Sequence, residues 1–125
     1  MARCGFDLLL REGAHVWHEW RDAAQPYRVG PSFQIKDREL LCRGRVLRQL
    51  PIDAWVHFEV LCPLGDKATG AFALTVQVSG EPAHGFDALP CGSGGQFTEL
   101  RWLGFVALGE KQAVFYLDNV RLRAE

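Results

Sequence analysis

Hydrophobic and polar residues alternate with a period of two along most of the chain, which predicts β-strands rather than helices. The alternation is clearest in segment 55–62, and it recurs in segments 15–21, 71–78, 97–106 and 113–123. Turn-forming residues separate these segments, so the chain is predicted to hold roughly eight or nine short strands. Such spacing predicts an all-β fold, either an antiparallel two-sheet β-sandwich or a barrel.

One segment, 37–50, could be taken for a helix because it is rich in leucine and arginine. Gly44 interrupts it, and the pairs Leu40-Leu41 and Val46-Leu47 fit two short strands around a turn better. We therefore expect no α-helix beyond a turn or two.

The apolar face of each predicted strand defines a predicted core. In segment 55–62 the opposite face carries Trp55, His57 and Glu59. The residues predicted to be largely buried are Val56, Phe58, Val60, Phe72, Leu74, Val76, Leu100, Trp102, Val114, Tyr116 and Leu122.

Asp118 falls in register with an otherwise apolar face of the last predicted strand. The apolar residues on that face are Val114, Tyr116, Val120 and Leu122. A carboxylate among apolar neighbours costs several kcal/mol unless it is paired, hydrogen-bonded or bound to a metal. Three alternatives follow. Asp118 is a structural staple that accepts backbone hydrogen bonds or pairs with Arg3 or Arg11, or it is a cation ligand, or a β-bulge turns it outward.

Composition predicts one globular domain over residues 1–125, because 48% of the residues are hydrophobic and 23% are charged. Lys and Arg number 14 against 15 Asp and Glu, so no basic excess exists to attract nucleic acid. No apolar run approaches the roughly 18 residues of a membrane span. The short apolar patch 8–10 is not a signal peptide, so the chain is either intracellular as written or a domain of a larger exported, extracytoplasmic protein.

The cysteines are widely spaced and form no CxxC pair, which argues against a zinc site. They are Cys4, Cys42, Cys62 and Cys91. Buried free thiols are the expected state, and disulfides stay an alternative if the protein is exported.

Three segments resemble the concanavalin A-like lectin/glucanase superfamily, and within it laminin-G-like and carbohydrate-binding jelly-roll modules. They are Trp-Val-His-Phe-Glu-Val at 55–60, Trp-Leu-Gly-Phe at 102–105 and Phe-Tyr-Leu-Asp-Asn-Val-Arg-Leu at 115–122. The resemblance implies two curved antiparallel sheets, attachment to exported carbohydrate-active proteins and often a structural calcium ion. An aspartate in the closing strand of such modules commonly helps to hold the calcium. Asp118 would be that ligand, and Asp7 is the nearest match for a second carboxylate.

Two predicted strands carry the parts of a sugar-binding site. One face of segment 15–21 holds Trp17 and Arg21, and one face of segment 55–61 holds Trp55 and His57. Sugars are bound by aromatic rings against their C–H faces and by planar polar groups that contact hydroxyls. If the two strands pair, these side chains form one patch. The alternative is an ordinary solvated sheet face.

Catalysis is not predicted. Glu19 and Glu59 could face each other as a glycosidase requires, but the Glu-x-Asp-x-x-Glu strand of the laminarinase-like branch is absent. A salt bridge with Arg21 is the simpler use of either glutamate. The prediction is therefore a non-catalytic carbohydrate-binding accessory domain with a glycan ligand, attached to other domains of a parent protein. The alternatives are a structural or protein-interaction sandwich without a glycan site, and a small jelly-roll hydrolase or lyase fragment.

Overall fold

The computed structural model describes residues 1–109 and 112–125, which form two antiparallel five-stranded sheets packed face to face. The first sheet has the order β10-β1-β6-β7-β8 and the second the order β5-β4-β3-β2-β9. The strands are β1 (Ala2–Leu10), β2 (Val16–Arg21), β3 (Val29–Lys36), β4 (Glu39–Cys42), β5 (Arg45–Gln49), β6 (Trp55–Cys62), β7 (Ala71–Val78), β8 (His84–Pro90), β9 (Trp102–Ala107) and β10 (Phe115–Ala124). The predicted two-sheet antiparallel sandwich is confirmed, and the narrower assignment to a concanavalin A-like jelly roll stays a prediction.

The described residues contain no α-helix, only two short 3-10 turns at Gly65–Lys67 and Gly94–Gln96. Segment 37–50 forms β4 and β5 around a turn at Arg43 and Gly44, as expected from the glycine. The residues Gly109-Glu110-Lys111 predict a turn between the last two strands, but residues 110 and 111 lie outside the described residues. Within the described ranges, no helix has the length and apolarity needed to cross a lipid bilayer.

The core lies between the inner faces of the two sheets. The predicted burial of alternate residues in β6 and β7 is confirmed, and Val56, Phe58, Val60, Leu74 and Val76 are fully excluded from solvent. A cluster of rings from both sheets fills the centre: Phe6, His18, Phe33, Phe58 and Phe105. All four cysteines are buried and free, as predicted.

Strand β1 was not predicted, although it holds a central place in the first sheet between β10 and β6. Its inward residues alternate over nine positions: Ala2, Cys4, Phe6, Leu8 and Leu10. Arg3, Gly5, Asp7 and Leu9 occupy the outward positions between them. This strand joins the two ends of the chain, since β10 pairs with it along its length.

The face assigned to the last strand was wrong, because β10 contains a bulge. Gly5 pairs with Arg121 and Asp7 pairs with Asp118, so two residues of β10 lie opposite the single residue Phe6. Asn119, one of the two, has φ of +54°. The bulge reverses the alternation, so residues 116 and 118 point outward while residue 122 shares the inner side with Cys4.

Four residues assigned to the core are exposed: Trp102, Val114, Tyr116 and Leu122. β10 is an edge strand that pairs only with β1, and its inner side is left largely uncovered. Trp102 pairs with Arg21 and points outward from the second sheet, while Leu100 is only partly buried.

Asp118 adopts the third of the predicted alternatives, an exposed position beside a bulge. Its Oδ1 accepts a hydrogen bond of 2.8 Å from the backbone N–H of Asn119. Arg3 and Arg11 pair instead with Glu125 and Asp53, so the buried staple is wrong.

Replacing Asp118 by alanine is expected to change the free energy of unfolding by less than about 0.5 kcal/mol, because the side chain is exposed. Asn119→Ala is expected to lower it by about 1–2 kcal/mol, because alanine tolerates a positive φ poorly and loses the amide. Urea-induced unfolding measures both changes, with Asn119→Gly as the control that keeps the backbone conformation. If Asp118→Ala lowered the free energy of unfolding by more than about 1 kcal/mol, Asp118 would have the structural role that its exposure argues against.

Candidate functional site

The outer face of the first sheet gathers most of the outward polar and aromatic side chains of β10, β1 and β6. Residues that lie directly opposite each other in an antiparallel ladder share a face, so the pairings arrange these side chains in rows across the strands. The rows are Tyr116–Leu9–Trp55, Asp118–Asp7–His57, Arg121–Gly5–Glu59 and Arg123–Arg3–Leu61.

A hydrogen-bonded network fixes the polar side chains in the middle of this face. His57 Nδ1 lies 2.6 Å from Asp7 Oδ1, and His57 Nε2 lies 2.9 Å from Glu59 Oε1. Asn119 donates from Nδ2 to Asp7 Oδ2 at 2.7 Å. The bulge in β10 places the Asn119 amide beside Asp7, so the network links all three strands.

The charge state of His57 follows from its two neighbours. A carboxylate only accepts hydrogen bonds, so both ring nitrogens of His57 must carry a proton for both bonds to form. Burial disfavours protonation, but the hydrogen bonds to Glu59 and Asp7 and their negative charges outweigh it. The pKa of His57 is therefore raised above its ordinary value of 6.5.

Gly5 leaves a cavity of about 350 Å³ in the middle of the face. A Cβ atom at this position would lie only 2.9 Å from Glu59 Oε1, so the glycine provides the space that the carboxylate occupies. The residues that line the cavity are Arg3, Gly5, Asp7, His57, Glu59, Asn119, Arg121 and Arg123.

An aromatic row borders the polar network. Trp55 and Tyr116 are 40% and 49% exposed, which is unusual for side chains of this size. They lie on β6 and β10, on either side of Leu9, so their backbones are roughly 10 Å apart. A smaller cavity of about 210 Å³ lies between Trp55 and the Asp7–His57 pair.

The four residues predicted to form one sugar-binding patch do not lie together. Trp17 and Arg21 are on β2 in the second sheet, whereas Trp55 and His57 are on β6 in the first. Each pair points outward as predicted, but from opposite sides of the sandwich. The patch is therefore wrong as a single site, because β2 and β6 never pair.

The outer face of the second sheet has a different character. The predicted salt bridge between Glu19 and Arg21 is present at 2.6 Å. The Arg21 guanidinium lies 4.2 Å from the ring centres of both Tyr27 and Trp102. Both rings therefore already make a cation–π contact with Arg21. Trp17, on the same face, is half-buried beside a cavity of about 280 Å³.

The residues present do not fit the calcium ion implied for Asp118 and Asp7. The structure places the two carboxylates directly opposite each other on β1 and β10. Calcium prefers six to eight oxygen ligands, but the Asp7 carboxylate lies against the protonated imidazole of His57 and the amide N–H of Asn119, which repel a cation. In residues 1–109 and 112–125 no group of three or more His, Cys, Asp or Glu side chains could hold a metal ion.

Several residues of this face were not anticipated as site residues, among them Tyr116, Asn119 and Arg121. The residue type at Asn119 could have predicted the bulge, because asparagine is one of the few residues that tolerate its left-handed conformation. A bulge at Asn119 would have turned Tyr116 outward and placed Arg121 on the same face.

Comparison of the chain with protein-family models, with curated proteins and with solved structures found no match. The resemblance to the concanavalin A-like superfamily therefore stays a prediction.

Proposed function

We propose that this chain is a non-catalytic carbohydrate-binding domain whose glycan surface is the outer face of the first sheet. One observation carries the proposal: the exposed rings of Trp55 and Tyr116 border a fixed row of planar polar groups. Those groups are Asp7, His57 and Asn119.

Each part of this face suits one part of a sugar. The aromatic row offers flat apolar surface for the C–H faces of pyranose rings. The carboxylates of Asp7 and Glu59 accept hydrogen bonds from hydroxyls, and their orientation is already fixed by His57. A preorganised site loses less side-chain entropy on binding. The surface is shallow, so we expect dissociation constants of roughly 10⁻³ to 10⁻⁵ M.

The same geometry favours binding over cleavage. Glycoside hydrolysis needs two carboxyl groups on either side of the scissile bond, with open space between them. Here the imidazole of His57 fills the space between Asp7 and Glu59.

The outer face of the second sheet supports glycan binding less well. Its two exposed aromatic rings, Tyr27 and Trp102, both pack against the Arg21 guanidinium at 4.2 Å. On the first sheet the Arg11 guanidinium lies farther from Tyr116, at 5.8 Å from the ring centre. Glu19 is in turn held by Arg21 and is almost buried. The second sheet therefore provides control residues for a test of the first.

Trp55→Ala is expected to weaken glycan binding by about tenfold or more, because a stacked aromatic ring contributes on the order of 1 kcal/mol or more. Trp102→Ala is the matched control, since Trp102 is 42% exposed but points outward from the second sheet. Affinity electrophoresis against a panel of soluble polysaccharides would identify a ligand, and calorimetry would give the affinities. A Trp102→Ala loss that exceeds the Trp55→Ala loss would move the site to the second sheet. Failure of the wild-type protein to bind any polysaccharide would refute the proposal.

A protein-interaction function is the second candidate, and the uncovered inner side of β10 favours it. Leu117, Val120 and Leu122 are between 38% and 54% exposed there. Contiguous exposed apolar side chains are typical of interaction surfaces. A stable dimer in light scattering, with no polysaccharide bound, would support this candidate instead.

A further inference from the structure

We propose that the cavity on the outer face of the first sheet binds the carboxylate of an acidic sugar residue, a uronic acid, at its arginine-lined end, through Arg121 and Arg123 with Arg3. The inference rests on the proposed function, because it names the class of glycan that the outer face of the first sheet would select.

Three arginines lie close together on the outer face of β1 and β10. Arg123 lies directly opposite Arg3, and Arg121 lies directly opposite Gly5, in the ladder between β1 and β10. All three side chains line the cavity. Like charges directly opposite each other destabilise a strand pair. Glu125 and Glu59 offset the charge of Arg3, so the charges of Arg121 and Arg123 are the ones that a bound anion would compensate.

The three arginines differ in their ion-pair partners. Arg3 pairs with Glu125 at 2.8 Å and lies 3.9 Å from Glu59. Neither Arg121 nor Arg123 forms an ion pair with another side chain in the part of the chain that the structure describes. Their guanidinium groups are therefore available to a ligand that reaches the cavity.

The polarity of the cavity changes from one end to the other. Asp7, His57 and Asn119 line one end, the Arg121–Gly5–Glu59 row crosses the middle, and Arg3 and Arg123 line the other end. Successive rows on one face of a strand are roughly 7 Å apart, about the scale of one sugar residue. A uronic acid would place its hydroxyls against the acidic end and its carboxylate against the arginines.

Arginine suits this role because its planar guanidinium binds a carboxylate through two parallel hydrogen bonds. The alternative is that Arg121 and Arg123 only protect an edge strand against pairing with another chain. Edge protection predicts no effect of these side chains on ligand choice, so an experiment can distinguish it from carboxylate binding.

The probes are oligogalacturonate and oligoglucuronate, each compared with its methyl ester. Esterification removes the negative charge and leaves the sugar rings unchanged. We expect the wild-type protein to bind one acid form at least tenfold more tightly than its ester, and the preference to shrink as salt is raised. Arg121→Gln combined with Arg123→Gln should abolish the preference, while Arg45→Gln, an exposed arginine on the edge strand β5, should leave it intact. Melting temperatures would verify that each variant is folded.

The outcomes separate this inference from the proposed function. Equal binding of acid and ester, lost in Trp55→Ala, would overturn the uronic acid preference and leave the glycan surface in place. Binding of neutral glycans alone would also overturn the uronic acid preference and leave the glycan surface in place. A preference that persists in the double arginine variant would overturn the assignment to Arg121 and Arg123. A tighter response to a sulfated galactan than to either acid form would replace the carboxylate by a sulfate ester as the recognised group.

Discussion

Replacing Phe58 by alanine is expected to lower the free energy of unfolding by about 3–5 kcal/mol. Phe58 is fully excluded from solvent, and its ring stacks on Phe6 at 5.1 Å and on Phe33 at 5.8 Å. These partners come from both sheets, so the lost ring leaves a cavity between layers that cannot close without moving a whole sheet. The expected loss therefore combines lost burial with an unfilled cavity.

Leu61→Ala is the matched control for this prediction, because Leu61 lies on the same strand but points outward and is only half-buried. It should cost less than about 1 kcal/mol in urea-induced unfolding. Similar losses at the two positions would show that the inner and outer faces of β6 have been exchanged.

The second large expected effect is a loss of folding stability at acidic pH, caused by His18. Lowering the pH from 6.5 to 4 is expected to destabilise the fold by about 3 kcal/mol through this one residue. Burial among Phe6, Phe33 and Phe105 lowers the pKa of His18 to about 4, although its hydrogen bond to the Gly104 carbonyl opposes the shift.

The neutral ring has both nitrogens satisfied, which explains how the core accommodates it. His18 Nδ1 donates to the Gly104 carbonyl at 3.0 Å, and Trp20 Nε1 donates to His18 Nε2 at 3.0 Å. Protonation at Nε2 would place two N–H donors against each other. Between pH 6.5 and 4 the unfolded chain binds a proton that the folded chain does not, so stability is full above this window and falls within it.

His57 affects folding stability in a different pH range from His18, so the contributions of the two histidines can be separated. Its raised pKa contributes stability that is complete below pH 6.5 and is lost as the pH rises through the folded value. Unfolding measured in steps from pH 7 to pH 4, together with the NMR titration of the His18 ring, checks the prediction. A His18 ring that titrates near its ordinary value in the folded protein would contradict it.

The alternation in β6 and β7 predicted both faces of these strands correctly, because each is paired on both sides and covered by the opposite sheet. The same rule misassigned Tyr116 and Asp118 in β10, because one extra residue at Asn119 puts them on the opposite face from Leu122. The predicted burial of β10 residues was wrong for a second reason. A strand at the edge of a sheet is not covered by the opposite sheet merely because its sequence alternates.

The candidate site shows where alternation stops being informative. It identifies the outward residues of a strand, such as Trp17 on β2 and Trp55 on β6, but it does not say which sheet the strand joins. The pairing of β1 with both β6 and β10 brings Asp7 to His57 and Asn119. That pairing joins residues about 50 and 112 positions apart in the chain, beyond the reach of any local pattern.

The most direct test of glycan binding on the outer face of the first sheet uses the four tryptophan indole N–H signals. Trp55 lies on this face, Trp20 lies in the core, and Trp17 and Trp102 lie on the outer face of the second sheet. During an NMR titration with the tightest polysaccharide fragment of the panel, we expect the Trp55 indole signal to shift in a saturable way while the other three stay in place. A saturable shift of Trp17 or Trp102, with Trp55 unchanged, would contradict the account.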